Sequence, residues 1–541
     1  MSHRFAKRIR RMSRGASAKA GLVLVAGSVA AVFVLAVALF LLGRTGRPAT
    51  GTTLTLYCAA GLRPPVERIV EQYAQECGVA VRVQYGGSNT LLGQIEAGKV
   101  GDLFLAADDS YTRLARQKGL AAEVLPVATM RPVIAVRRGN PRGIARIDDL
   151  LRPDLRVGLA NPDQAAVGRV VRDLLERSGQ WEALARHVTA TGVFKPTVTD
   201  LANDVLLGSV DAAIVWDVTA AQYPELETVR PEALGAGTAS ALLCVLTTAA
   251  QPAAALHFAR YLAASDKGLP EFAALGYEPV EGDLWADVPE ITFFVGSVNR
   301  RALEDTIREF QQREGVVVNT VYNGCGILTA QMRTIREKQS GGFPDAYMAC
   351  DVYYLENVKD WFQEAANVSE TEIVMVVQKG NPKRIRSLAD LARPGIRVAV
   401  GQPEQCTIGA LTRLMLEKEG MYQQVMANVV AQTATSAMLV PAVTTASADV
   451  ALAYATDAKA EAGRIDAVRV ESSHRKAVQP FAIARSSRHK HLARRLFEAV
   501  ARSEHRFAEA GFSFCLEQGA AVCPWCPPGA SAPARVAGET P

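Results

Sequence analysis

The 541-residue sequence lacks the short motifs that mark many catalytic and nucleotide-binding sites. It contains no Walker A sequence, no G-x-S-x-G nucleophile elbow and no H-E-x-x-H zinc motif. Its histidines include His489 and His491, but the surrounding RHKH is typical of an exposed basic helix. We therefore predict no catalytic constellation and expect that this protein is not an enzyme.

The chain also lacks a strong charge of either sign outside its first residues. The formal net charge is +5, and arginines and lysines among residues 1–20 account for much of it. A nucleic-acid-binding surface normally carries concentrated positive charge. No nucleic-acid partner is therefore predicted.

A single long apolar run, residues 21–42, follows this basic segment. As a helix it would span roughly 33 Å, enough for the hydrocarbon core of a bilayer. A cleavable signal peptide has a shorter apolar core and a small-residue cleavage site, whereas RTGRPATG follows here. We expect a cytoplasmic segment at 1–20, a single-pass inner (plasma) membrane anchor at 21–43, and a periplasmic remainder.

The rest of the chain contains one pattern twice. The paired anchors keep the same order and lie about 237 to 243 residues apart. They are Tyr85 and Tyr322, Gly87 and Gly324, Asp102 and Asp345, Asp108 and Asp351, Asn140 and Asn381, Pro153 and Pro394, and Gly168 and Gly409. We predict one duplicated domain, at 52–287 and again at 288–514. The Cys- and Pro-rich tail at 515–541 has a composition that predicts disorder.

Each copy alternates short apolar strands with amphipathic helices. In the first copy, 54–58 has the composition of a buried strand, and 65–76 places Val66, Ile69 and Tyr73 on one helical face. This rhythm predicts an α/β fold with a mostly parallel sheet covered on both sides. Ligands of such sheets bind beyond the carboxyl ends of the strands, where the loops CAAGLR, YGGSNT and LAADDS should converge.

The order of these motifs resembles that of a known family. The first copy carries CAAGL at 58–62, GSNT at 87–90, QIEAG at 94–98, DLFLAAD at 102–108 and GSVDAAIVW at 208–216. The second copy is looser but has YATD at 454–457. In this order the chain resembles type II periplasmic solute-binding proteins in tandem. The closest group is the molybdate-binding family of substrate-binding proteins of ATP-binding-cassette transporters.

The resemblance implies two tandem two-lobed domains, each with a central cleft that closes on a ligand. It places the crossing strands at 132–137 and 372–378, and divides the first domain into lobe one (52–130 and 230–287) and lobe two (131–229). A ligand that contacts both lobes only in the closed state shifts the population towards closure.

The resemblance also implies where the ligand binds. Helix N-termini at the cleft offer unpaired N–H groups and partial positive charge, which suits a small anion. The ligand-binding residues implied in the first domain are Ala60, Gly61, Ser88, Asn89, Asp108, Ala165, Ala166 and Trp216. Those implied in the second domain are Ser297, Cys325, Asp351, Cys406, Thr407 and Tyr454. Two alternatives stay open: Ser88 as a plain N-cap, and the aspartates as caps that hold loops.

Several positions depart from the family pattern. The serine of the first loop is replaced by Gly61 in the first copy and by Val298 in the second, and Trp216 stands in place of a tyrosine. The loss of hydroxyl donors argues against tight molybdate binding in either copy.

Three cysteines are the clearest difference between the copies. Cys325, Cys350 and Cys406 lie in three predicted cleft loops of the second copy, where the first has Ser88, Ala107 and Ala165. Three alternatives follow: small buried residues without a joint role, a disulfide between two of them, or a site for a thiophilic metal such as Cu(I) or Zn(II). No other cofactor is indicated.

Together these features predict a membrane-anchored extracytoplasmic solute-binding protein. It would bind a small oxyanion resembling molybdate, or another small anionic solute, and deliver it to an ATP-binding-cassette permease. One alternative is a pair of degenerate domains that act as an anchored sensor or scaffold. Another is a metal or thiol site in the second domain, as in an enzyme or a metal chaperone.

Overall fold

The structure is a computed structural model that describes residues 53–516. The predicted anchor at 21–43, the segment before it and almost all of the tail lie outside these residues. Within the described part of the chain, no helix has both the length and the apolar character needed to span a membrane.

The first domain alternates strands with helices. Its strands are β1 (Thr53–Ala59), β2 (Ala80–Gly86), β3 (Leu103–Ala106), β4 (Ala121–Met130), β5 (Pro132–Arg137), β6 (Val157–Ala160), β7 (Val193–Lys195), β8 (Ala212–Trp216), β9 (Leu226–Val229), β10 (Ala239–Leu246) and β11 (Glu278–Pro279). Its helices are α1 (Arg63–Cys77), α2 (Ser88–Gly98), α3 (Asp109–Gln117), α4 (Ala166–Arg177), α5 (Trp181–Thr191), α6 (Val198–Leu207), α7 (Asp217–Ala221), α8 (Pro252–Leu262) and α9 (Gly268–Ala274).

Two sheets form the two lobes of this domain. A six-stranded sheet has the order β11-β4-β10-β3-β1-β2, and a five-stranded sheet has the order β7-β6-β8-β5-β9. β1 runs parallel to β2 and β3, and β6 runs parallel to β7 and β8. β10 and β5 pair antiparallel with their neighbours. The prediction of a mostly parallel sheet is therefore wrong outside the βαβ units, because the strands that carry the chain between the lobes run the other way.

The second domain repeats this arrangement. Its strands are β12 (Glu290–Gly296), β13 (Val317–Asn323), β14 (Ala346–Met348), β15 (Phe362–Gln378), β16 (Val398–Gly401), β17 (Val429–Thr433), β18 (Val450–Tyr454), β19 (Ile465–Arg469), β20 (Lys476–Ala484) and β21 (Ser513–Phe514). Its helices are α10 (Arg300–Glu314), α11 (Cys325–Glu337), α12 (Val352–Glu356), α13 (Thr407–Lys418), α14 (Tyr422–Met426), α15 (Leu439–Thr444), α16 (Ala455–Ala460), α17 (Lys490–Ala501) and α18 (Glu504–Ala510).

The crossing between lobes differs in one respect. In the second domain β15 pairs with β20 in one lobe and with β18 and β19 in the other, so ten strands form one continuous sheet. In the first domain the same path is split between β4 and β5 at Arg131. The N–H of Arg131 donates to the Asp217 carboxylate, and its carbonyl accepts from the N–H of Asp217. The predicted crossing strands at 132–137 and 372–378 are both present as strands.

Local sequence sets the limits of the first helix in each copy. Pro64 and Pro65 occupy the first turn of α1, where a proline costs no backbone hydrogen bond. The helix ends at Gly78, whose φ of +71° is readily adopted only by glycine. Gly315, with φ of +66°, ends α10 in the same way. Each domain has its own apolar core, which the helices and strands of both lobes share.

A buried cluster of three charged side chains joins the two domains. Glu314, at the end of α10, contacts Arg260 of α8 in the first domain at 3.2 Å and Arg495 of α17 at 2.6 Å. The three side chains are 2 to 8% exposed. Burial alone would raise the pKa of the Glu314 carboxyl, but the charges and hydrogen bonds of the two arginines outweigh burial and lower it. Glu314 is thus an ionised carboxylate that holds two cationic side chains at the domain boundary.

Replacing Glu314 by glutamine should leave two buried arginines without a counter-charge. We expect Glu314→Gln to lower the free energy of unfolding at pH 7 by about 3 to 5 kcal/mol in urea denaturation. Because the folded pKa lies below the unfolded value of about 4.3, this stabilisation is complete above that pH and disappears as the pH falls through the folded pKa. Glu304→Gln, which removes an exposed partner of Arg300, is the matched control and should change little. Equal effects of the two variants would contradict this role.

Candidate functional site

The loops that follow β2 and β3 meet at the first residue of α2. This residue is Ser88, which is 1% exposed, and its hydroxyl oxygen accepts a hydrogen bond from the N–H of Ala107 at 3.3 Å. The N-cap of α2 is Gly87, so the alternative role of Ser88 as a plain N-cap is wrong. The hydroxyl proton of Ser88 is not used by the Ala107 contact and can be donated to another group.

Lobe two reaches this loop directly. The backbone N–H of Asn89 donates to the carbonyl of Gln164 at 3.2 Å, and its side-chain amide donates to the carbonyl of Asp163 at 2.6 Å. Gln164 lies one residue before Ala165, the N-cap of α4, which makes no side-chain capping bond. The N-termini of α2 and α4 therefore face one another across a closed cleft.

Missing side chains permit this approach. A Cβ atom on Gly87 would lie 2.3 Å from the carbonyl oxygen of Gln164, a distance too short for two non-bonded atoms. A Cβ atom on Gly168 would lie 2.4 Å from the carbonyl oxygen of Ala160, next to the N-terminus of α4. Gly168 thus lets α4 pack closely against the end of β6, and Ala165 and Ala166 add only a methyl group each at the start of this helix.

The first loop lies under the end of β8. Ala60 and Gly61 belong to a 3-10 turn at Ala60–Leu62, and a Cβ atom on Gly61 would lie 3.5 Å from both the Trp216 ring and the Thr219 hydroxyl oxygen. Thr219 is 2% exposed, and its hydroxyl has no hydrogen-bond partner within residues 53–516. Sequence reasoning missed Thr219. Its only signal was its position three residues after Trp216, where the second copy has the Asp457 of YATD.

The two aspartates predicted to bind ligand are caps. Asp108 is the N-cap of α3 and accepts from the N–H of Ser110 at 3.0 Å. Asp351 caps α12 through the N–H of Tyr353 and also accepts from the N–H of Val478, both at 2.9 Å. Burial is the main effect on both carboxyls and raises their pKa. One oxygen of Asp108 and both oxygens of Asp351 accept hydrogen bonds from the protein itself, in agreement with the capping alternative.

In the second domain Cys325 takes the place of Ser88. It is the first residue of α11, it is fully buried, and its sulfur accepts a hydrogen bond from the N–H of Cys350 at 3.1 Å. The sulfur of Cys350 lies 3.1 Å from the same atom. Two of the three predicted cysteines are therefore in contact.

The surroundings of Cys325 favour its thiolate. Burial opposes ionisation, but hydrogen bonds from the Cys350 thiol, the Thr407 and Tyr347 hydroxyls and the Cys350 N–H outweigh burial and lower the pKa of Cys325 to about 7. Its hydrogen bond to Cys325, together with burial, raises the pKa of Cys350 well above the ordinary value. The pair thus combines one readily ionised thiol with one that stays protonated.

Cys406 does not join this pair. It is the N-cap of α13 on lobe two, and its thiol donates to the carbonyl of Thr433 at 3.4 Å. Burial raises its pKa to about 11. Across residues 53–516, no three or more His, Cys, Asp or Glu side chains are grouped so that they could hold a metal ion. The three sulfurs of the metal alternative are therefore not grouped in this structure, because the third belongs to the opposite lobe and donates to Thr433 there.

The second cleft is also closed and is more polar than the first. Tyr354 of lobe one donates its hydroxyl to the carbonyl of Pro403 at 2.9 Å, and the N–H of Ile327 donates to Gln405 at 3.3 Å. Two buried polar atoms near the cysteines, Asn299 Oδ1 and Tyr454 Oη, have no hydrogen-bond partner in the described chain. Ser297 lies partly exposed in the turn before α10.

Comparison with known proteins agrees with this architecture. A family model described as a bacterial extracellular solute-binding protein matches residues 54–278 and again 291–513. A Haemophilus influenzae protein, described in general terms as a binding protein, is 35% identical over 162 residues, which are 30% of this chain and 65% of its own length. The molybdate-binding protein ModA of Mycobacterium bovis is 31% identical over 217 residues, which are 39% of this chain and 80% of its own length.

Solved structures match part of this chain at low identity. The periplasmic molybdate-binding protein of Azotobacter vinelandii matches 41% of this chain and 98% of its own length, at 20% identity and a TM-score of 0.37. The resemblance read from the loop motifs is confirmed by the repeated family match and by the mycobacterial relative. The chain belongs to the bacterial extracellular solute-binding protein family, as a tandem pair of type II periplasmic-binding domains close to the molybdate-binding proteins.

Proposed function

We propose that this protein binds a small oxyanion, resembling molybdate, or another small anionic solute in its first cleft, and delivers it to an ATP-binding-cassette permease. The observation that supports this most directly is the meeting of the α2 and α4 N-termini across the closed cleft. The first turns of a helix leave N–H groups without intrahelical partners, and they carry partial positive charge. Two such ends can bind an anion without a cationic side chain.

The groups around these ends suit a compact ligand with several oxygens. Ser88 can donate its hydroxyl proton while its oxygen stays bonded to Ala107. Thr219 offers a second buried hydroxyl beside Gly61. Ala165 and Ala166, at the N-terminus of α4, have small side chains, so an oxygen can come close to the backbone there. Direct contacts between Asn89 and lobe two leave little width for a large solute.

The membrane anchor predicted at 21–43 belongs to this proposal. It would place residues 1–20 in the cytoplasm and hold both domains at the periplasmic face of the inner membrane, where a permease could receive the solute. Transfer then depends on cleft opening and closure, not on a chemical step, so no enzyme activity is proposed.

A second candidate is an anchored sensor or scaffold built on a degenerate first cleft. The observation that favours it is the position of Trp216, whose ring is 1% exposed and lies 3.5 Å from the place of a Cβ on Gly61. A bulky ring at this point fills space that a ligand would use. Binding measurements on the first cleft decide between the two candidates.

Removing the Ser88 hydroxyl should weaken anion binding. Titration calorimetry with molybdate should show a loss of about 0.5 to 3 kcal/mol in Ser88→Ala, because one donor to the anion disappears. Ser209→Ala, in an exposed turn of lobe two, is the matched control and should bind as the unaltered protein does. Equal affinities for both variants would exclude Ser88 from the site, and no molybdate, tungstate or sulfate binding to the unaltered protein would favour the scaffold.

Adding one methyl group should prevent closure of each cleft separately. Gly87→Ala places a Cβ 2.3 Å from the carbonyl oxygen of Gln164, and Gly324→Ala places one 2.5 Å from that of Gln405. The φ angles of the two glycines, −68° and −63°, are ordinary for alanine, so the substitutions cause no backbone strain. Small-angle scattering should show an expanded molecule for both variants, and only Gly87→Ala should lose molybdate binding. Gly93→Ala, on the same helix with no neighbour within 4 Å, is the control. Unchanged binding in Gly87→Ala would show that closure at this contact is not required.

A further inference from the structure

The second cleft keeps the backbone of the first but replaces oxygen by sulfur. In the first domain the N–H of Ala107 donates to Ser88 at 3.3 Å, and in the second the N–H of Cys350 donates to Cys325 at 3.1 Å. The same backbone N–H thus donates to a hydroxyl oxygen in the first domain and to a thiol sulfur in the second. In the second domain the donor residue is itself a cysteine, so two thiols lie together.

Besides these two cysteines, a glycine replaces an alanine and makes room for the second sulfur. The last residue of β12 is Gly296, where the last residue of β1 is Ala59. A Cβ atom on Gly296 would lie 2.3 Å from the Cys350 sulfur and 2.8 Å from the Cys325 sulfur. The two thiols fit side by side only because Gly296 has no side chain. The two cysteines and this glycine therefore form one site.

Hydroxyl groups surround the sulfurs. Tyr347, Thr407 and Tyr454 are at most 1% exposed. The hydroxyls of Tyr347 and Thr407 act on the Cys325 sulfur, and the hydroxyl of Tyr454 has no hydrogen-bond partner within 53–516. Their counterparts in the first domain are Phe104, Ala166 and Trp216, which have no hydroxyl. Because buried polar groups are normally paired, the Tyr454 hydroxyl indicates a ligand that carries oxygen as well as affinity for sulfur.

The charges around the site disfavour a metal cation. Cys325 begins α11 and Thr407 begins α13, so two helix N-termini with partial positive charge face the cleft. Only two sulfurs are in contact, whereas structural zinc takes four ligands. A neutral or anionic ligand with thiophilic character fits these surroundings better.

We propose that the second cleft binds a thiophilic oxyacid of a trivalent semimetal, of which arsenous acid is the simplest, through Cys325 and Cys350. Two S–As bonds form and two As–OH bonds break. Each departing hydroxide leaves with a thiol proton as water, and no atom changes oxidation state. The remaining As–OH lies among the hydroxyls of Thr407 and Tyr454. The inference rests on the proposed function only in requiring that the cleft opens to admit the ligand.

The test measures arsenite binding to the reduced full-length chain. Cys523 and Cys526, a C-x-x-C pair in the tail, could bind arsenite themselves, so both are replaced by serine in every protein compared. Equilibrium dialysis with elemental analysis should give one arsenic per chain and the loss of two titratable thiols. Cys325→Ser with Cys350→Ala, which copies the serine and alanine of the first domain, should lower affinity at least 100-fold.

Two further variants test which side chains of the second cleft contribute to arsenite binding. Cys406→Ala removes a sulfur on the opposite lobe and should bind arsenite as before. Thr407→Ala, which copies Ala166, should weaken binding several-fold while two thiols are still lost per arsenic. Equal binding by the Cys325/Cys350 variant would overturn the proposal, as would binding of Cu(I) or Zn(II) but not arsenite at these cysteines, or a Cys325–Cys350 disulfide that persists under reduction.

Molybdate titration of the same samples keeps the two proposals apart. If arsenite fails while molybdate binds, only the second-cleft proposal falls. If molybdate fails while arsenite binds at Cys325 and Cys350, the oxyanion role of the first cleft falls. Retained molybdate binding by the cysteine variants would also show that they fold.

Discussion

Each domain depends on a close contact between two backbones across its cleft. Gly87 and Gly324 each lie where a single methyl group would collide with a carbonyl of the opposite lobe. Because these side chains are absent, the N-terminus of α2 can approach that of α4 in the first domain, and α11 can approach α13 in the second. The N–H groups without intrahelical partners at these N-termini then lie close together. The ligands proposed for both clefts depend on this contact. The backbone N–H groups favour a ligand with oxygen atoms in either cleft, and the nearby side chains then determine which ligand binds.

The two copies use this shared backbone differently. Around the first cleft, Ser88 and Thr219 are buried hydroxyls beside small and apolar residues, and Asn89 and Asp108 already bond to the protein, so the main donors left are backbone groups. Around the second, sulfur and hydroxyl groups replace them, and the pKa of Cys325 falls to about 7. The buried cluster of Glu314 with Arg260 and Arg495 ties the domains together, so two chemically distinct clefts belong to one connected structure.

Much of the fold could be predicted because it depends on local pattern. The spacing of apolar residues indicated α1, which the structure extends to Arg63–Cys77, and the crossing strand at 132–137 matches β5. The mixed direction of the sheets was missed, since strand direction depends on how often the chain passes between lobes. At the site, Ser88 and Asn89 lie where the two lobes meet. Thr219 and Tyr347 were overlooked because isolated polar residues near strand ends carry no periodic signal.

The sequence by itself determined the duplication, the family and the loops that line each cleft. These properties are written in the order and spacing of residues, and repetition makes weak motifs specific. Only the tertiary structure decided which groups share a cleft. It joined Cys325 to Cys350 but directed Cys406 to Thr433, and it showed that Asp108 and Asp351 are caps. Such choices depend on distances of a few ångströms between residues far apart in the chain, which spacing along the sequence does not encode.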